Sequence, residues 1–208
     1  MNHYILRFDQ IDAQDYSRVG GKHAPLGALI THLAGQGVRV PAGFATSAQA
    51  YSDFLASNEL QQRIMQRLKG LDVEDITALA EAGSQIRSWI LQAPLQPQLI
   101  AQVGAAWTAL GGESVPVAVR ASAIAAGLPD ASFSGQQESY LNIRGLAAVL
   151  VSIKQVYASL FNDRAIAYRV HRSIPHQEVM LSVGIQRMAR SESGGLVSAM
   201  LRCWSWRV

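Results

Sequence analysis

Residues 178–188 alternate strictly, with Val179, Leu181, Val183 and Ile185 on one side and Met180, Ser182, Gly184 and Gln186 on the other. Successive side chains of a strand point to opposite faces, so this segment is a strand with one wholly apolar face that must be buried. A second segment shares the rule: Val115, Val117 and Val119 fall on one face and Arg120 points to the other. Between the two, Val149, Leu150, Ile153, Val156, Tyr157 and Leu160 recur at helical spacing. Period-two segments separated by amphipathic helices limit the chain to a mixed α/β (α+β) fold.

The rest of the chain extends that pattern. Residues 4–8 read as a first strand. A helix follows the run VGGKHAPLG, with Leu26, Leu29, Ile30 and Leu33 on one face and Gly35 and Gly37 beyond its end. Residues 38–44 carry Pro41 and Gly43 and read as a short strand entering a turn. Thr46 or Ser47 then offers a cap for a helix through Leu55. Further helices are expected over 59–68, over a stripe from Ile76 to Ile90 capped by Asp72, and over 98–110, so that 46–110 forms a helical packing block. Trp89 and Trp107 serve there as packing anchors. Residues 139–143 form a strand, and Asp163 caps a helix on which Arg164, Arg169 and His171 are expected to form a solvated face or ion pairs.

Composition narrows the function classes. Apolar residues make up 49% of the 208 positions and charged ones 16%, values of an ordered globular chain. A net charge of +3 spread along this length argues against nucleic acid as a partner. The single cysteine, Cys203, excludes an internal disulfide and fits a reducing compartment. No signal-peptide pattern opens the chain, and no run of about 18 apolar residues exists. The expectation is a soluble cytoplasmic chain without a membrane partner. The five histidines, His3, His23, His32, His171 and His176, show no metal-ligand spacing, and no Gly-x-Ser-x-Gly elbow is present.

Two motifs hold groups suited to phosphate. Gly20 and Gly21 precede Lys22, a flexible turn that would let the lysine lean over a ligand, although this is not a Walker P-loop because the spacer and the hydroxyl after the lysine are missing. Taken alone these residues read more simply as an ordinary helix entry with a solvated lysine. In 117–145, Arg120 ends a buried strand and is followed by small residues, a Leu-Pro-Asp turn signal, Gly135 and Ser139. A guanidinium beside small residues can hold a phosphate chain through planar charged donors and backbone N–H groups. A hairpin whose arginine caps a carboxylate is the other reading of the same residues.

The blocks VGGKHAPLG, VPAGFATSAQAY, LPDASFSGQQESYLNIRG and ASLFNDRAIAYRVH occur together in this order. Their set resembles the N-terminal nucleotide-binding domain of the phosphoenolpyruvate synthases (pyruvate, water dikinases) over roughly residues 4–192. Pyruvate phosphate dikinases and rifampicin phosphotransferases share part of the pattern, and AGSQIRSWI with FNDRAIAYRVH favours the synthases. The resemblance implies an ATP-grasp architecture, two lobes closing on ATP, and an Mg²⁺-dependent phosphotransferase. In that family ATP phosphorylates a histidine on a swivelling domain, which passes the phosphoryl group to pyruvate; phosphoenolpyruvate, AMP and phosphate are the products. By position, Lys22 and Arg120 match the phosphate-contacting, catalytic cations, Gly135 and Ser139 the phosphate loop, and Gln186 a residue near the adenine. Homo-oligomers are frequent in the family.

This chain departs from the family in three ways. Where the family has Arg-Ser-Ser-Ala-Thr-Ala-Glu-Asp, residues 120–127 read Arg-Ala-Ser-Ala-Ile-Ala-Ala-Gly, which removes two hydroxyls and two carboxylates. The family pattern stops near Ser191, so 1–191 is expected to be a partial nucleotide-binding domain and 192–208, with Trp204 and Trp206, a divergent tail. The metal ligands of the second lobe, the phosphohistidine domain and the pyruvate-binding barrel have no counterpart in the sequence. A chain ending inside the ATP-binding domain is therefore expected to be inactive alone. It would be a piece of such a synthase, a non-catalytic nucleotide-binding or interaction module, or a fragment of an antibiotic- or pyruvate-directed relative.

Overall fold

The computed structural model describes residues 3–33, 36–37, 40–125 and 138–189. Gly135 and the expected tail at 192–208 lie outside the described residues. Among the described residues five strands, β1 (Ile5–Arg7), β2 (Gly43–Thr46), β3 (Val117–Ala125), β4 (Ser139–Ile143) and β5 (Val179–Arg187), form one sheet in the order β1-β2-β5-β3-β4. All neighbouring pairs are antiparallel. The strictly alternating segment is the central strand: β5 runs against the whole of β3, from Val117 opposite Arg187 to Ala125 opposite Val179.

The sheet has two unlike faces. On one, Val117, Val119 and Ala121 of β3 join Leu181, Val183 and Ile185 of β5, each at most 1% exposed. Helices α2 (Ala48–Ser57), α3 (Leu60–Leu68), α4 (Ile76–Gln92), α5 (Pro97–Leu110), α6 (Leu146–Ser159) and α7 (Asp163–His171) supply the other half of that core. Trp107 is 2% exposed within it, and Trp89 packs at its margin beneath the Arg63 guanidinium. The ring of Tyr157 meets Tyr51 edge-on at 5.0 Å and Phe54 at 5.3 Å. Among the described residues the opposite face is covered by a single helix, α1 (Tyr16–Leu33), over a small cluster of Leu6, Phe8, Ile11, Val19, Ala24 and Ala45. No helix among the described residues is long and apolar enough to cross a membrane.

Several local expectations change. The glycine run before Lys22 lies inside α1, which kinks where Gly20 takes φ 79° and ψ 174°. The sheet-facing side of α1 is Val19, Gly20, His23, Ala24 and Gly27, because only small residues let it approach so closely; a Cβ on Gly27 would lie 2.4 Å from the Ile11 carbonyl oxygen. Leu26 and Ile30 are left at the margin of that contact and Leu29 is 49% exposed. Of the strand expected over 38–44, residues 38–39 lie outside the described residues, and β2 starts only at Gly43, after 40–42. Asp75, not Asp72, caps α4, accepting from the Thr77 and Ala78 N–H groups; Asp72 accepts from Glu74 in the preceding turn. Asp163 falls in the first turn of α7, after the cap position, and pairs with Arg87 at 3.0 Å.

Arg169 does not join a solvated face. The inward stripe of α7 is Ala165, Ile166 and Arg169, so the guanidinium is carried into the core and is 1% exposed. Its Nε donates to His176 Nδ1 at 2.8 Å, and the terminal nitrogens have no protein partner. Arg164 is exposed as expected, and His171 lies 3.6 Å from Glu74.

Candidate functional site

The site is built on the α1 face of the sheet. Cross-strand neighbours share a face, so Ala118, Arg120 and Ser122 of β3 stand beside Gln186, Gly184 and Ser182 of β5, and Ser139 of β4 stands beside Arg120. Val119 and Ala121 point the other way, into the helical core. Arg120 and Ser139 are both exposed.

α1 brings Lys22 to this place through its kink. Gly20 lies so close to β3 that a Cβ there would sit 2.5 Å from Ser122 Oγ and 2.9 Å from the Ala123 carbonyl oxygen. Its positive φ reinforces the need for glycine. The helical run restarts after it, and the Lys22 N–H donates to Ser122 Oγ at 3.2 Å. A helix N-terminus carries partial positive charge from its unsatisfied N–H groups, and here it lies next to two full cations. The Lys22 ammonium is held below its ordinary pKa, first by partial burial and then by the Arg120 guanidinium. Two like charges on one face that repel each other favour an anion between them.

Behind Lys22, His23 is 4% exposed, with Nδ1 3.0 Å from Ser182 Oγ and its ring 5.7 Å from that of Phe8. Its pKa is pushed down to about 3, by burial first and then by Lys22 and Arg120, against a raising contribution from the Val19 backbone. His23 is therefore neutral at physiological pH. The ring occupies the space above Gly184, where a Cβ would lie 2.3 Å from Nε2.

The other expected site residues distribute as follows. Ser139 is brought beside Arg120 by strand register. Gln186 lies one same-face position along β5 from Gly184, flanked by Ala118 and Gly43, and its Nε2 donates to the Pro41 carbonyl at 3.1 Å. Gly135 is not among the described residues. Glu138, from the same glycine- and glutamine-rich block, is turned toward Tyr140 and Asn162, with which it hydrogen-bonds. A cavity of about 410 Å³ opens near β1 and β2, bordered by Ile5, Phe8, Ile30, Gly43, Phe44 and Leu110, and no expected site residue lines it.

Sequence reasoning missed His23, Ser122, Ser182 and Gly184. The signal for the last two was present: small residues on one face of a buried strand mark the close approach of another element. The face of position 121 also changes the weight of one family departure. Ala121 is 1% exposed and packs with the helical core, so a hydroxyl there would not face the Lys22 side. The hydroxyl at 122, which does face it, is retained.

Among the described residues no group of three or more His, Cys, Asp or Glu side chains is arranged to hold a metal. They do not fit an Mg²⁺ site.

A mixed α/β domain that turns a helix end, a lysine and an arginine toward one exposed place has the make-up of an anion- or nucleotide-binding domain. The family of pyruvate phosphate dikinase AMP/ATP-binding domains matches residues 16–200, and the chain belongs to it. Over 196 residues it is 53% identical to a phosphoenolpyruvate synthase of Pseudomonas aeruginosa (strain UCBPP-PA14), an overlap of 93% of this chain and 25% of that protein. It is 52% identical over 197 residues to one from Neisseria meningitidis serogroup B (93% and 25%) and 51% identical over 190 residues to one from Escherichia coli K12 (90% and 24%). The chain thus spans about a quarter of the length of these relatives.

Proposed function

We propose that this chain is the ATP-binding part of a phosphoenolpyruvate synthase-type dikinase, with the phosphate chain held between Lys22 and Arg120. The observation that carries the reading is the convergence of these two cations beside the restarted N-terminus of α1. Phosphoryl transfer needs little covalent help from a protein; it needs positioned positive charge where negative charge is redistributed. Lys22 and Arg120 supply that charge, with Ser139 beside Arg120 on the neighbouring strand; Gly135 stays a match by family position alone.

Gln186 faces the base. One N–H of its amide donates to the Pro41 carbonyl, which orients the group and leaves the carbonyl Oε1 as an acceptor suited to the exocyclic amine of adenine. An ATP-grasp arrangement, with a second lobe completing the clamp and supplying the Mg²⁺ ligands, is part of this proposal. So is the overall reaction: ATP, pyruvate and water would give phosphoenolpyruvate, AMP and phosphate through a phosphohistidine on another domain. His23 is buried and hydrogen-bonded, which makes it an unsuitable carrier. The chain by itself therefore binds ATP without making phosphoenolpyruvate, and cytoplasmic residence and homo-oligomer formation are carried over with the family reading.

Titration with ATP tests the assignment. Lys22→Ala and Arg120→Ala should each weaken binding by about tenfold or more, because a hydrogen bond to a charged group contributes roughly 1.5–3 kcal/mol. Unaltered affinity in both variants would refute it.

A further inference from the structure

α1 is the only helix described on its face of the sheet, and the apolar cluster beneath it is small. Apolar packing is non-directional, so so small a cluster leaves the rotation and sliding of a helix loosely defined. Polar contacts and steric locks have to define them. Three meet within four consecutive residues of α1. Gly20 sits against Ser122 and Ala123 with no room for a Cβ; the Lys22 N–H donates to Ser122 Oγ; the His23 ring fills the space above Gly184 and bonds to Ser182. All three use the strand positions that flank Arg120 and Gly184, which are themselves register partners. The same contacts that fix the helix on the sheet therefore also fix the Lys22 backbone at Ser122, the next same-face position along β3 from Arg120.

We propose that His23, seated on Ser182 and Gly184, is a positioning residue for Lys22, acting with Ser122 to hold the lysine at the distance from Arg120 that a phosphate chain requires. The proposal rests on the reading of Lys22 and Arg120 given above. His23 itself contacts no nucleotide; it acts by fixing the helix turn that carries Lys22. A hydrogen-bonded polar pair in an otherwise apolar contact selects one register, since any slip leaves its members unpaired in a dry environment.

The test exploits the lack of space at Gly184. A Cβ there would collide with His23 Nε2 at 2.3 Å, so Gly184→Ala must push His23, and Lys22 with it, away from the sheet. Removing the ring in the double variant His23→Ala/Gly184→Ala gives that space back. Two readouts are taken on the 208-residue chain: ATP affinity, and the pH midpoint for acylation of Lys22 by acetic anhydride, measured by mass spectrometry of its peptide. Gly184→Ala should weaken ATP binding about tenfold and move the Lys22 midpoint upward, as the ammonium leaves its partly buried position and then the influence of Arg120. The double variant should recover most of both. Ser182→Ala, a smaller lesion, should move both readouts in the same direction and decides the matter where Gly184→Ala does not fold. An unchanged Lys22 midpoint in folded Gly184→Ala or Ser182→Ala would overturn the proposal. So would a double variant no better than Gly184→Ala. If the parent chain fails to bind ATP, the nucleotide reading fails, and the acylation midpoint still decides whether His23 positions Lys22.

Discussion

Acidification should destabilise this domain through His23 in a way that can be separated from every other group. The unfolded chain binds a proton at His23 with an ordinary pKa of about 6.5, whereas the native state resists protonation until about 3. Above pH 6.5 both states are neutral at this position and its contribution to stability is complete. As the pH falls below 6.5 the unfolded state takes up a proton that the native state refuses, and stability declines until the folded pKa is reached. Between pH 6.5 and 5 the gap is about 1.5 pH units, which at 1.36 kcal/mol per unit is a loss of about 2 kcal/mol. His23→Gln removes the titration while keeping a polar side chain of similar reach. Urea denaturation of both proteins at pH 7, 6 and 5 measures the effect, since His176 and the carboxylates contribute equally to each. The parent should lose about 2 kcal/mol more than the variant over this range. Parallel pH profiles would refute the argument and show that His23 is not held neutral by burial and its two cationic neighbours.

Other consequences are open to direct measurement. Arg169 lies in the core with its terminal nitrogens unpartnered and its pKa lowered to about 10 by burial, so Arg169→Met should be neutral or stabilising by up to about 2 kcal/mol in urea denaturation; a loss above about 1 kcal/mol would count against an unpaired buried charge. Asp75→Ala should lower stability by about 1 kcal/mol through loss of the α4 cap, whereas Asp72→Ala should change it by less than about 0.5 kcal/mol. Gln186→Ala should bring the affinities for ATP and GTP closer together, as measured by competition with a fluorescent nucleotide; an unaltered ratio would remove Gln186 from the base site. Incubated with ATP, Mg²⁺ and pyruvate, the chain should yield no phosphoenolpyruvate in a coupled assay.

The residues that the sequence reveals most plainly are those governed by one periodicity. β5 appears where alternation puts it and α6 where its apolar spacing does, and Arg120 points away from the helical core because Val117 and Val119 point into it; β3 itself does not end at Arg120 but runs on to Ala125 along β5. What escapes is set by tertiary contact. The stripe of Leu26, Leu29, Ile30 and Leu33 suggests how α1 should pack, yet Gly20 and Gly27 permit a closer approach by another face. Arg169 looks solvated in a list of charges and is buried because α7 has only a narrow inward stripe, on which it falls. The approach of Lys22 to the part of β3 that carries Arg120, about a hundred positions away, is invisible to local pattern. It depends on a helix crossing the sheet, and on Ser122 and Ser182 serving as its attachment points, which no spacing rule connects to His23.

The central claim is that Lys22 and Arg120 together form the nucleotide's phosphate site. A titration of the 208-residue chain with ATP, followed by amide chemical shifts, tests it most directly. The account predicts saturable binding weaker than about 100 µM, an energy of roughly −5.5 kcal/mol or less in magnitude, with the largest shifts at 20–23 and around 120. It further predicts a loss of about tenfold or more on replacing either cation by alanine. Binding that persists unchanged in the double variant Lys22→Ala/Arg120→Ala would contradict it.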